Sequence, residues 1–151
     1  TGKIEIMSDG TPWRPVVHVR DVSSAFIAGL ESPASLVSGK AFNVGIPNGN
    51  YTVRDLAEAA HRSVPHSELI FTGEHNDSRT YRVSFNRILT ELKDYYQPKW
   101  DLDRGGKELV DLFDRIGFTE KQFRGRSTIR LQQLSYLKDT ERIDDSFRVV
   151  Q

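Results

Sequence analysis

Gly10-Thr11-Pro12-Trp13-Arg14-Pro15-Val16-Val17-His18-Val19-Arg20-Asp21-Val22 is the stretch whose reading decides the fold. With the preceding Ser8 and Asp9, its first residues are dense in turn formers. Val16, Val17 and Val19 are β-branched and predict a short strand. Asp21 then offers an N-cap to a helix. That helix carries Val22, Ala25, Phe26, Gly29 and Leu30 as an apolar stripe at helical spacing and stops near Ser32-Pro33. Arg14 therefore stands at the foot of a β run that feeds directly into a capped helix.

Working outward, Lys3 to Met7 alternates polar and apolar residues, with Ile4 and Ile6 on one side. Together with the valine run it reads as a β-hairpin-like pair, or as two short strands around a loop. Downstream, Ala41-Phe42-Asn43-Val44 reads as a short strand ending at Gly45. Thr52 with Asp55 forms a capping-box variant for a helix with Val53, Leu56, Ala57, Ala60 and Val64 inward, and Pro65 ends it. Glu68 to Thr72 reads as a strand, and 73–78 as a polar loop. Tyr81 and Val83 are extended. Ser84 caps a helix carrying Phe85, Ile88, Leu89, Leu92 and Tyr95 or Tyr96, which Pro98 stops.

A longer amphipathic helix spans 102–116, with Leu109, Leu112, Phe113 and Ile116 inward and Gly117 as its C-cap. Thr119 starts a short helix, Gly125-Arg126 breaks it, and Ser127 caps a last helix with Leu131, Leu134 and Leu137. The order β-α-β-α-β, then helices, predicts an α/β fold of short mixed strands and several amphipathic helices. Residues 1–138 form the domain, and 139–151 a charged, peripheral tail.

Bulk properties narrow the function. In 151 residues Lys plus Arg equals Asp plus Glu, so the net charge is zero and no global field favours nucleic acid or an acidic membrane. Apolar residues make up 37% and charged residues 28%, which is lean for a self-contained α/β core. The absence of cysteine excludes disulfides, thiolate metal sites and a Cys nucleophile, and fits a cytoplasmic location. No apolar run reaches the roughly 20 residues that a membrane span needs. The first residues, Thr1-Gly2-Lys3-Ile4, enter a strand-like run at once and read as a cut end rather than a leader.

Four residues are candidates for ligand contact. Arg14 presents a planar guanidinium fork suited to a phosphate or carboxylate, or else stacks on Trp13 at the surface. Asn43 sits at a strand end, where an amide donates to a phosphate, orients a loop, or merely bonds its own turn. Arg79 and Tyr81 follow a polar loop, with Arg82 close by. His18 reads as a half-buried histidine with one satisfied nitrogen. His61 and His66 straddle Pro65, off the i, i+4 spacing of helical ligation, and with His75 and Asp77 they make no metal site.

Several of these segments, taken in order, resemble one family. Arg14 to Val22 resembles the "R-x-x-x-H-V-x-D-V" passage of the extended short-chain dehydrogenase/reductases, the NAD-dependent nucleotide-sugar epimerases and dehydratases. Phe42-Asn43-Val44-Gly45 is similar to the family's "F/Y-N-V/I-G" strand end, and Asp77-Ser78-Arg79-Thr80-Tyr81 to its "D-x-R-x-Y" segment. The likeness runs from about Gly2 to Ser135 and is strongest over 10–58. Two departures occur: Pro15 stands where an acid usually follows the arginine, and Ser84 where an acid often caps the next helix.

The resemblance implies the C-terminal, substrate-binding part of a Rossmann-like enzyme. In it Arg14 and Arg79 hold the diphosphate of a nucleotide sugar, with Asn43 and Tyr81 nearby. NAD(P) serves the full-length enzyme, which oxidises a sugar hydroxyl through a Tyr/Lys dyad, and a homodimer is possible through helices outside this part. Tyr95-Tyr96-Gln97-Pro98-Lys99 mimics the dyad's "Y-x-x-x-K", but Pro98 interrupts the helix that it needs. No G-x-G-x-x-G turn is present. The expectation is a fragment with no catalytic or cofactor-binding residue of its own, inactive alone and in need of an N-terminal NAD-binding domain. The alternative is a non-catalytic nucleotide-binding or protein-interaction module on the same scaffold.

Overall fold

A computed structural model describes residues 2–73 and 79–150. They fall into two compact units, Gly2–Val110 and a second that begins at Asp111.

The first unit is built on two small sheets. Strand β1 (Lys3–Ile6) pairs in parallel with β4 (Glu68–Phe71), in the register Lys3 to Glu68 and Ile6 to Phe71. Strand β2 (Trp13–Pro15) pairs antiparallel with β3 (Asn50–Thr52). Of the two arrangements open to the first strands, the hairpin is therefore wrong: β1 and β2 flank a loop and enter different sheets. Gly10 makes that loop possible. Its φ is 85°, and a Cβ there would lie 2.8 Å from the Phe71 ring.

Helix α1 (Val19–Glu31) begins earlier than the sequence suggests. The valine run is not a strand beyond Pro15, and the N-cap is His18, whose Nδ1 accepts the Arg20 N–H at 3.2 Å. Asp21 lies inside the first turn. Its carboxylate is 3% exposed and accepts the backbone N–H groups of Lys99 at 2.9 Å and Trp100 at 3.0 Å. It is thus a staple between α1 and the chain that follows Pro98. Capping chemistry and this use share one requirement, a carboxylate facing orphan N–H groups.

Helix α2 (Ala34–Val37) is one turn. Helix α3 (Val53–Ser63) carries the expected capping box: the Thr52 hydroxyl accepts the Asp55 N–H, and Asp55 accepts the Thr52 N–H. It buries Ala57 and Ala59, whereas Ala60 and Val64 are exposed. Helix α4 (Asn86–Glu91) starts after Phe85, so Ser84 is not the cap; its hydroxyl accepts the Asn86 N–H at 3.4 Å from one residue further out.

Phe85, Ile88, Leu92 and Tyr96 join Ala25 and Ala28 of α1 in the main core. Tyr96, not Tyr95, is the inward tyrosine, and its hydroxyl donates to the Gly45 carbonyl at 3.0 Å. Gly45 has to be glycine, because a Cβ there would come within 2.3 Å of the Phe85 ring.

The Ala41–Val44 segment is not a ladder strand. It alternates as a strand does, with Phe42 and Val44 packed on the core and Ala41 and Asn43 exposed. Among the described residues no strand pairs with it. Side chains hold it instead: Arg87 Nη1 donates to the Ala41 carbonyl at 3.0 Å, and Tyr96 to that of Gly45.

Helix α5 (Leu102–Ile116) matches its expected bounds. Its stripe does not face inward as expected: Leu109, Phe113 and Ile116 are exposed. The same holds on α1, where Phe26 is 73% and Leu30 86% exposed. Spacing marks a face as apolar but does not supply the element that covers it.

In the second unit Gly117, at φ 60°, terminates α5, with the Phe118 N–H bonded back to Phe113. Helix α6 (Glu120–Phe123) has its own capping box from Thr119 and Gln122. Helix α7 (Arg130–Asp139) is capped at Ile129, not Ser127. Beyond it Ile143 bridges to Val149 and is buried, so this part of the tail folds back on itself.

Candidate functional site

The β2–β3 ladder decides which side chains meet. Successive residues of a strand face opposite sides, and residues directly paired across an antiparallel ladder share a side. Arg14 pairs with Tyr51, and Trp13 with Thr52. Arg14 and Tyr51 therefore share one face, and Trp13 and Thr52 the other.

Residues 79–84 run alongside this ladder without joining it, and their partners sort the same way. At the ladder's edge the Thr80 hydroxyl accepts the Trp13 N–H at 3.0 Å, and on the Trp13 face the Arg82 guanidinium lies 4.6 Å from the Trp13 ring centroid. On the other, Tyr81 lies toward Arg14, with the guanidinium carbon 5.9 Å from its ring centroid. Arg14 Nη1 donates to the Trp13 carbonyl at 2.7 Å and to the Arg79 carbonyl as well. The Arg79 backbone and the Tyr81 ring, 65 or more residues along the chain, are thus brought beside Arg14. Arg82 is set on the opposite face, stacked on Trp13. Asp77, the remaining member of that sequence pattern, and His75 lie outside the described residues.

Asn43 is placed at the far end of the same segment, where its Nδ2 donates to the Ser84 carbonyl at 3.2 Å. A stronger tie was not legible in the sequence. Asn50, at the start of β3, donates from Nδ2 to the Val83 carbonyl at 2.9 Å and accepts the Val83 N–H at Oδ1, 2.8 Å away. Its position in a turn-rich Pro47-Asn48-Gly49-Asn50 run was the only available signal, and it marks a loop rather than a clamp.

Beside this face lies an apolar cleft of about 380 Å³, which Tyr51 shares with Val17, Ile46, Leu56, Trp100 and Leu109. Burial, followed by the negative charges of Asp101, Asp103 and Asp55, raises the Tyr51 phenol above its ordinary pKa, so it stays a neutral hydroxyl. His18 borders the same cleft. Its ring stacks on Trp100 with centroids 4.2 Å apart. Both of its nitrogens are engaged: Nδ1 accepts from Arg20, so Nε2 carries the proton to Glu108 at 2.8 Å. The histidine is structural and has two satisfied nitrogens rather than one.

Among the described residues, no three His, Asp or Glu side chains are grouped to hold a metal ion, and His61 Nδ1 is 3.1 Å from the Ser67 hydroxyl. No described helix is long and apolar enough to cross a membrane. Tyr95 and Lys99 lie beyond the end of α4, on no common helix. The α3 N-terminus, which follows β3 directly, is filled by the Thr52–Asp55 box, and that of α1 by His18.

Residues 1–45 match the model of the NAD dependent epimerase/dehydratase family. The fold is shared with several solved structures. UDP-glucuronic acid 4-epimerase from Bacillus cereus, solved with UDP-glucuronic acid and NAD, superposes with a TM-score of 0.56 at 18% identity, over 76% of this chain and 36% of that one. L-threonine dehydrogenase from Clostridium difficile gives 0.63 at 12% identity, over 79% and 38%. The PbgP3 protein from Burkholderia pseudomallei gives 0.52 at 21% identity, over 74% and 34%. The matched part thus spans little more than a third of these proteins' length.

Proposed function

We propose that this chain is the substrate-binding part, over residues 1–138, of an NAD-dependent nucleotide-sugar epimerase or dehydratase, and that Arg14 and Arg79 neutralise the substrate's diphosphate. The single observation that carries this reading is the Arg14 bridge to the Arg79 backbone, which joins two arginine-bearing segments beside Tyr81. Two fixed negative charges call for two counter-charges. Arg14 carries a planar guanidinium fork of the kind that meets phosphate oxygens in pairs. Asn43 keeps the loop-orienting role and Tyr81 walls the site.

NAD supplies hydride acceptance and return in this family. In this reading its site and the Tyr/Lys dyad belong to chain outside these residues. The same holds for a homodimer contact. The enzyme would work in the cytoplasm, in keeping with a cysteine-free sequence.

Calorimetric titration with UDP and with uridine tests the reading. The chain should bind UDP more tightly than uridine. Arg14→Ala and Arg79→Ala should each weaken UDP by roughly tenfold or more, the worth of a charge-assisted bond, and leave uridine unchanged. Equal UDP affinity in wild type and both variants refutes the diphosphate assignment.

A further inference from the structure

We propose that Asn50 is a positioning residue, a side-chain clamp that sets where Arg79 and Tyr81 stand relative to Arg14. The inference deepens the diphosphate reading and rests on it for its consequence in binding, though not for the clamp itself.

Residues 79–85 belong to no ladder or helix. An extended segment on a protein surface keeps its register only if something fixes it along its length. Here the Asn50 amide takes the place of a strand. It gives one donor and one acceptor to the same residue, Val83, at 2.9 and 2.8 Å, as a neighbouring backbone would. Two bonds to one residue fix both position and twist, which a single bond cannot.

Asn50 is itself well anchored. It pairs with Pro15 in the β2–β3 ladder, one residue along from the Arg14–Tyr51 pair. The clamp therefore ties the segment to the same two strands that hold Arg14. Thr80 adds one further point through Trp13, and Asn43 another through Ser84. Arg14 holds a fourth point, the Arg79 carbonyl; among the ties of the described residues, that of Asn50 alone acts on both the N–H and the C=O of one residue. Aspartate keeps the acceptor but loses the donor, and alanine loses both. The three side chains at this position thus form a graded series.

The experiment combines amide hydrogen exchange with titration on wild type, Asn50→Asp and Asn50→Ala. In Asn50→Ala, exchange at Val83 should accelerate by about tenfold or more, the factor expected for one lost hydrogen bond. Exchange in α1 and α3 should stay unchanged. Asn50→Asp retains the bond to the Val83 N–H, so its Val83 exchange should stay near wild type. In titration, UDP affinity should fall in Asn50→Ala and uridine affinity should not. A merely structural role would weaken both ligands alike.

Unchanged exchange at Val83 in Asn50→Ala overturns the clamp. Faster exchange with undiminished UDP binding, where Arg79→Ala does weaken UDP, overturns the positioning role. If wild type prefers UDP no more than uridine, the diphosphate reading has failed, and exchange at Val83 still decides whether Asn50 holds the segment.

Discussion

Asp21→Asn is the sharpest test of how the first unit is held together. The carboxylate is 3% exposed and accepts two backbone N–H groups, from Lys99 and Trp100, at 2.9 and 3.0 Å. Asparagine is nearly isosteric but offers one acceptor oxygen, and its amide N–H₂ would face the other backbone donor. One charge-assisted bond is lost, worth about 1.5–3 kcal/mol, and a buried N–H is left without an acceptor. We expect a loss of about 2–4 kcal/mol, a large share of the roughly 5–15 kcal/mol that folded domains possess. Urea unfolding followed by tryptophan fluorescence reads this directly. With an m-value of about 2 kcal/mol/M, the midpoint should fall by about 1–2 M with m unchanged. Glu58→Gln on the exposed side of α3 is the control and should stay within about 0.5 kcal/mol. If Asp21→Asn unfolds within that same margin of wild type, the staple contributes nothing and the reasoning is wrong.

Gly45→Ala should cost about 1–3 kcal/mol by overpacking, because its Cβ would stand 2.3 Å from the Phe85 ring; pairing it with Phe85→Leu should recover part of the loss in the same urea assay, and no recovery would show that Phe85 is not what the methyl group meets. Tyr96 makes a pH prediction. Burial, and then the charge of Asp21, pushes its phenol up to about 12. Between the ordinary tyrosine value near 10 and that point the folded state holds the proton that the unfolded chain has released. The stabilisation is therefore complete below about pH 10 and drains away as pH rises through 12. Tyr96→Phe should lose about 1 kcal/mol at neutral pH for its bond to Gly45 and show a shallower decline between pH 10 and 12; an unchanged slope would mean that Tyr96 does not titrate with unfolding.

Local chemistry was legible in the sequence wherever one segment determines its own structure. The Thr52–Asp55 box, the 102–116 helix and the Gly117 stop all follow from residues within a few positions of one another. Long-range partners were not. Asp21 has the residue type of a cap, and nothing local says that its orphan N–H groups belong to residues 99 and 100. His18 caps α1 because its Nδ1 reaches the Arg20 N–H while Trp100 and Glu108 fix the ring, and two of those partners are far along the chain. Ala41–Val44 has the composition and alternation of a strand, but a strand is a pairing, and no described strand runs beside it. The grouping of Arg14, Arg79 and Tyr81 was inferred from order and likeness. The separation of Arg82 from them needed the register of β2 against β3.

That register explains why the site can be assembled without a large sheet. Arg14 lies on a ladder, whereas Arg79 and Tyr81 lie on a segment tied by the side chains of Arg14, Asn43, Asn50 and the segment's own Thr80. Each tie is worth about 1 kcal/mol, so none alone decides whether the chain folds, yet each fixes a different stretch of the segment. Substitution at Asn50 or Asn43 can therefore shift the distance between the two guanidinium groups while the core of Ala28, Ile88 and Tyr96 stays intact. Scaffolds that host different substrates change their sites in this way, through positions that carry geometry without carrying stability. Asn50 is where the two meet: it stands at the end of the β2–β3 ladder and bonds Val83 of the segment at both N–H and C=O.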